Sequence, residues 1–150
     1  MRFDSFDEIR RYAIREEINS ASLYRMFAQR GADWTKRMFE ELAAEEEKHR
    51  EFLEKLDMEA VRTHILADVP DMKISDYMLD VKYNDDMTPQ EAMIYAMKGE
   101  DMAKKMYLDM QGMVSDEDTR KLFALLAEQE SRHKLRLETM YQEEFMDKKW

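Results

Sequence analysis

An internal repeat of acidic, aromatic and histidine residues constrains the fold more than any other feature of this chain. The same residue types recur 83 or 84 positions apart. The first copy contains Glu17, Tyr24, Glu46 and His49, and the second contains Glu100, Tyr107, Glu130 and His133. The apolar residues around each Glu-x-x-His step also match, with Phe39, Leu42, Ala43 and Leu53 corresponding to Phe123, Leu126, Ala127 and Leu137. Such a repeat indicates a duplicated structural unit with a duplicated site.

The composition favours one all-α domain. A chain of 150 residues with 44% hydrophobic content is long enough for a single core, so we expect one domain over residues 1–150. Charged residues make up 39%, and the chain has only 3 Gly and 2 Pro, which is typical of long helices with few tight turns.

Capping residues and apolar periodicity predict four helices. Ser5 and Glu8 have capping-box spacing before the first helix, and Gly31 follows its end. Asp33 is a candidate N-cap for the second helix, whereas Thr88 precedes a proline at the start of the third. The predicted spans are about 6–30, 34–58, 89–111 and 116–146, with Gly112 and Ser115 separating the last two. The long segment Glu59–Met87, with a weak helical pattern around 75–81, suits the crossover of an antiparallel four-helix bundle.

The spacing predicts that the repeated residues meet. Residues three apart on a helix share a face, so each Glu-x-x-His step offers two ligands from one helix. If the first turn centres near Ala32, Glu17 and Glu46 each lie roughly 21 to 23 Å from it, at about 1.5 Å per residue. Glu100 and Glu130 are related in the same way to a turn near Ser115. We therefore expect four carboxylates and two imidazoles to converge.

The charge of the four carboxylates then predicts that the site binds metal cations. Four buried carboxylates repel one another unless cations neutralise them, and two divalent cations would balance their charge. Mixed carboxylate and imidazole ligation suits iron, with manganese or a mixed-metal pair as alternatives. The chain has no Cys, which excludes thiolate zinc sites and disulfides.

At these residues the sequence resembles the ferritin-like superfamily, and most closely the rubrerythrin-like di-iron proteins. The resemblance covers nearly the whole chain. It implies the metal ligands Glu17, Glu46, His49, Glu100, Glu130 and His133, with Glu46 and Glu130 bridging two irons. It further implies that Glu17 with His49 caps one iron and Glu100 with His133 the other. Tyr24 and Tyr107 would hydrogen-bond the carboxylates; no catalytic residue is assigned.

Two departures from the family pattern matter. Full-length rubrerythrins carry a cysteine-ligated rubredoxin domain that this sequence lacks, so electrons would come from an external, rubredoxin-like donor protein. They also carry an extra glutamate three residues after the third-helix ligand, where this chain has Ala103. The remaining six ligands resemble a bacterioferritin-like set, which puts redox-linked ligand exchange in doubt.

Several alternatives remain open at this point. Glu16 is a rival for Glu17, but its repeat partner Gly99 cannot ligate, and His64 in the crossover is expected to be solvent-exposed. The leading function is reduction of hydrogen peroxide or dioxygen, as in oxidative-stress defence. A ferroxidase or iron-handling protein and a non-enzymatic helical module with a vestigial site are the alternatives. We expect a cytoplasmic homodimer without membrane association, and the net charge of −10 argues against nucleic-acid binding.

Overall fold

The computed structural model describes residues 5–31 and 33–147 and shows helices with no strand among them. In order, the elements are α1 (Phe6–Arg30), α2 (Asp33–Lys55), α3 (Met58–Thr63), a 3₁₀ turn (Ile74–Tyr77), α4 (Pro89–Met113), α5 (Glu117–Tyr141) and a π-helical turn (Gln142–Met146). The chain divides into two compact units, the first ending at Met58 and the second beginning at Glu59. Within this described part, no helix is long and apolar enough to cross a membrane.

The first unit is the hairpin of α1 and α2, which pack against each other. The N-cap prediction is confirmed, because the backbone N–H of Glu8 donates to Ser5 Oγ at 3.2 Å. Gly31 follows α1 as predicted, but its φ of −87° is not left-handed. Its role is spatial, since a Cβ there would lie 2.5 Å from Thr35 Oγ1. We placed the centre of this turn near Ala32, and that residue is outside those that the structure describes.

The second helix differs from its predicted span at both ends. Asp33 is the first residue of α2 and not its N-cap. The helix ends at Lys55, three residues before the predicted end, and the separate short helix α3 follows. The periodic apolar pattern runs past Lys55 because both helices bury residues, among them Leu53 in α2 and Val61 in α3.

The second unit contains the crossover segment and the hairpin of α4 and α5. Thr88 is the N-cap of α4 as predicted and forms a capping box with Glu91, and Asp116 caps α5 by accepting from the N–H of Thr119 at 2.9 Å. The prediction that Gly112 separates the helices is wrong, because α4 continues through it to Met113. Apart from the backbone of α4 itself, no atom of the described residues lies within 4 Å of a Cβ at Gly112, and its φ is not positive, so neither crowding nor a left-handed backbone interrupts the helix there. The weak pattern near residues 75–81 corresponds only to the 3₁₀ turn.

Candidate metal centre

The first hairpin brings together its three predicted ligands. Glu17 lies on α1, whereas Glu46 and His49 lie one turn apart on α2. His49 Nδ1 is 3.7 Å from Glu17 Oε2 and 4.0 Å from Glu46 Oε1. The i, i+3 spacing therefore does place the carboxylate and the imidazole on the face of α2 that meets Glu17.

The second hairpin repeats this arrangement. Glu100 lies on α4, and Glu130 and His133 lie on α5. His133 Nδ1 is 3.6 Å from Glu100 Oε1. One potential ligand atom from each of the three residues lies within 4.8 Å of the others, a spacing that one metal ion could bridge.

All four carboxylates are buried. Relative exposure is 1% for Glu17 and Glu46, 4% for Glu100 and 7% for Glu130. Neither carboxylate oxygen of Glu17 accepts a hydrogen bond within the part of the chain that the structure describes. An ionised carboxylate in such surroundings is costly unless it is paired or coordinates a cation. The donor set, carboxylate oxygen with imidazole nitrogen, therefore fits iron or manganese.

The two repeated tyrosines lie in equivalent apolar surroundings. Tyr24 is 2% exposed and stacks on Phe39 with ring centroids 5.8 Å apart. Tyr107 is 1% exposed and packs on Phe123 at 6.3 Å. Since a buried phenol normally hydrogen-bonds, the proposed contact with a ligand carboxylate stays a prediction for both.

Two polar clusters on α5 were not foreseen from the sequence. One is centred on Lys134, which is almost completely buried beside acidic residues of the crossover and α4. In the other, Glu128 lies 2.7 Å from His64 Nε2 and accepts a hydrogen bond from Arg132 at 2.9 Å. The side chain of His64 is 38% exposed, so it is partly solvent-accessible, but it also forms a hydrogen bond with Glu128 that the sequence did not predict. The signal for the Lys134 cluster was weak, because an i, i+4 pair such as Lys134 and Glu138 usually lies in solvent.

Comparison with known proteins supports the resemblance carried by these residues. The family model described as Rubrerythrin matches residues 8–78 and 91–149, which include all six candidate ligands. No curated protein and no solved structure matched significantly. The match and the helical structure confirm the predicted all-α, ferritin-like fold class. The chain belongs to the rubrerythrin family.

Proposed function

We propose that this protein is a non-haem di-iron oxidoreductase that reduces hydrogen peroxide or dioxygen with electrons from an external donor. Family membership implies iron binding, and the structure supplies carboxylate and imidazole groups able to hold a metal. The single observation that carries the proposal is that each hairpin gathers two buried glutamates around one histidine.

In this proposal six residues would hold two irons, with the roles that the family resemblance implies. Glu46 and Glu130 would be shared by both metals, Glu17 and His49 would hold one, and Glu100 and His133 the other. Support comes from charge, because four carboxylates balance two divalent cations, and from the family match, which spans both hairpins. A pair of ferrous ions supplies the two electrons that cleave one O–O bond.

The side chains have separate tasks in this proposal. The glutamates would hold the metals, and their carboxylate oxygens would accept or release protons. The imidazoles ligate in the neutral form, which leaves the charge balance to the carboxylates. Tyr24 and Tyr107 would orient carboxylate oxygens through their hydroxyl groups, while their rings would shield the apolar residues around the ligands from water.

Because the chain has no Cys, the proposed reaction needs a separate electron-donor protein. Without thiolate ligands, the chain cannot hold a rubredoxin-type iron centre. We therefore propose that the ferric state is re-reduced by a separate electron-transfer protein. Electron transfer is expected from a reduced rubredoxin-like protein.

Stoichiometric oxidation tests the reaction. Each hydrogen peroxide takes two electrons and two protons to give two waters, so protein loaded anaerobically with ferrous iron should lose about two ferrous ions per peroxide consumed. Glu46→Ala should abolish rapid oxidation, whereas Glu51→Ala, which removes an exposed carboxylate from the same helix, should not. Rapid oxidation by Glu46→Ala would refute the assignment.

Iron oxidation for storage or transfer is the second candidate. The observation that favours it is Ala103, which leaves a six-ligand set without the additional rubrerythrin glutamate. A ferroxidase would turn over excess ferrous iron repeatedly with dioxygen and without a protein donor. Multiple turnovers under those conditions, together with a very large assembly in size exclusion, would favour this candidate over a donor-dependent reductase.

A further inference from the structure

The second hairpin contains a buried ammonium surrounded by carboxylates. The side chain of Lys134 on α5 is only 2% exposed. Its Nζ lies 2.6 Å from Asp71 Oδ1, 3.1 Å from Asp101 Oδ1 and 3.7 Å from Glu138 Oε1. These partners belong to the crossover, α4 and α5 respectively, so one side chain joins three segments of the second unit.

Two members of this cluster directly follow candidate metal ligands. Asp101 follows Glu100 on α4, and Lys134 follows His133 on α5. Successive helical residues point about 100° apart, so the ion pair lies beside the ligand pair at the same level of both helices. A slide or rotation of α4 against α5 would therefore change the distance from Lys134 to Asp101 together with the distance from His133 to Glu100.

The same cluster fastens the crossover to α5. Asp71 accepts hydrogen bonds from Lys134, from Lys104 at 2.9 Å and from the backbone N–H of Lys73 at 2.9 Å. Four residues later along the crossover, the backbone N–H of Ser75 donates to Glu138 Oε2 at 3.0 Å. Charged hydrogen bonds with buried partners are the stronger class, so this segment is held at two points.

The first hairpin provides an internal comparison. The repeat equivalents of Lys134 and Glu138 are Arg50 and Glu54, which pair at 2.9 Å but are 30% and 45% exposed. The equivalent of Asp101 is Ile18, which is 44% exposed. Both hairpins thus have the i, i+4 pair. Only in the second hairpin is this pair buried and linked to an acidic residue of the neighbouring helix.

We propose that Lys134 is a positioning residue: its buried ion pairs fix the register of α4 on α5 beside Glu100 and His133 and hold residues 71–75 against α5. This inference rests on the metal site of the proposed function. It assigns Lys134 no contact with metal or oxidant. It predicts that the two attachments of Lys134 can be separated, with Asp101 governing ligand geometry and Asp71 governing the crossover.

Cobalt(II) binding to the full-length metal-free protein tests the effect on ligand geometry, because its visible spectrum reports coordination. Lys134→Met should weaken cobalt affinity by about 10- to 100-fold and change the spectrum of the bound ion. Asp101→Asn should change affinity and spectrum in the same direction and provides a milder variant. Arg50→Met, at the repeat position, and Lys105→Met, which removes an exposed partner of Asp101, should leave both unchanged.

Amide hydrogen exchange tests the second attachment. Asp71→Asn should speed amide exchange at Ser75 while leaving the cobalt spectrum close to that of the wild type. Asp101→Asn should change the cobalt spectrum while leaving exchange at Ser75 close to that of the wild type. Leu122→Val controls for lost stability, because it trims a buried side chain of α5 away from the cluster. It should lower the denaturation midpoint without changing the spectrum.

The possible outcomes separate this inference from the proposed function. Wild-type cobalt affinity and spectrum in folded Lys134→Met would overturn the positioning role while leaving the metal site intact. Spectral changes in Leu122→Val equal to those in Lys134→Met would also overturn it, because general destabilisation would then explain them. Failure of the wild-type protein to bind cobalt would refute the proposed metal site and the positioning role together.

Discussion

His133 Nδ1 lies 3.6 Å from Glu100 Oε1, joining α5 to α4 through two buried side chains. The equivalent atoms of His49 and Glu17 lie 3.7 Å apart in the other hairpin. The two hairpins therefore place the corresponding histidine and glutamate at nearly the same distance. This agreement favours a maintained binding site in each hairpin over an accidental Glu-x-x-His spacing.

Replacing Glu17 should stabilise the metal-free protein and weaken its binding of metal. Because neither of its buried oxygens accepts a hydrogen bond from the described residues, Glu17→Gln should raise the free energy of unfolding of the metal-free protein by about 1 kcal/mol. The same change should weaken metal binding at least 10-fold. Urea denaturation with and without ferrous iron measures both effects.

The neighbouring Glu16 provides the matched control for that substitution. It is half-buried and lies on α1, directly before Glu17. Glu16→Gln should leave iron affinity unchanged. A larger loss of affinity in Glu16→Gln than in Glu17→Gln would reverse the assignment of the first-helix ligand.

The tyrosine hydroxyls should influence the metal more than the fold. Tyr24→Phe and Tyr107→Phe retain the rings that pack on Phe39 and Phe123. If each hydroxyl orients a ligand carboxylate, iron affinity should fall by about 10-fold while the denaturation midpoint changes little. Equal affinities for the wild type and both variants, measured by anaerobic titration, would assign these tyrosines to packing alone.

Asp71 should make stability depend on pH in the acid range. Burial acts to raise the pKa of Asp71, but hydrogen bonds from Lys134 and Lys104 outweigh it and hold this pKa well below the ordinary value. A lowered folded-state pKa stabilises the fold above the unfolded value of about 4, and this stabilisation is lost as the pH falls toward the folded value.

The comparison of wild type with Asp71→Asn isolates that contribution. The difference in the free energy of unfolding should be about 1.5 to 3 kcal/mol near neutral pH and should shrink below about pH 4. Glu138 also faces Lys134, and its pKa is raised by burial and also by the charge of Asp71, so Asp71→Asn should lower the pKa of Glu138 as well. Urea denaturation of the metal-free proteins gives the profile, and a difference that grows on acidification would contradict the role of Asp71.

Gly31 and Gly112 should respond oppositely to the same substitution. Gly31→Ala places a Cβ 2.5 Å from Oγ1 of the buried Thr35, so either this side chain or the turn must shift, and we expect a loss of about 1 to 3 kcal/mol. Gly112→Ala meets no atom within 4 Å inside α4 and should stabilise the helix by about 0.5 to 1 kcal/mol. Thermal unfolding compares them, and stabilisation by Gly31→Ala would contradict the close approach of Thr35 to Gly31.

Local signals in the sequence predicted the N-caps of α1 and α4 and the proximity of the three candidate ligands within each hairpin. Ser5 and Thr88 cap their helices because their hydroxyls accept backbone N–H groups, a strictly local interaction. The grouping of Glu100 with Glu130 followed from their equal distances to a short turn, and His133 joined them through its i, i+3 spacing from Glu130. Both inferences depend on helix geometry, which a sequence pattern carries directly.

Features set by tertiary packing were harder to predict. Gly112 indicated a helix end, but the helix continues through it because propensity is a weak preference that context overrides. The buried state of Lys134 depends on Asp71, which is 63 residues away in a crossover without strong periodicity. An i, i+4 basic and acidic pair looks the same in sequence whether solvent or another segment covers it, as Arg50 and Lys134 illustrate.

Iron stoichiometry tests the central claim most directly. Full-length protein reconstituted anaerobically with ferrous iron and freed of unbound metal should retain about two iron ions per chain. After oxidation it should show ferric charge-transfer absorption, and Glu130→Ala should lose both properties. No retained iron in the wild-type protein, or the same stoichiometry and spectrum in Glu130→Ala, would contradict a di-iron centre built from these residues.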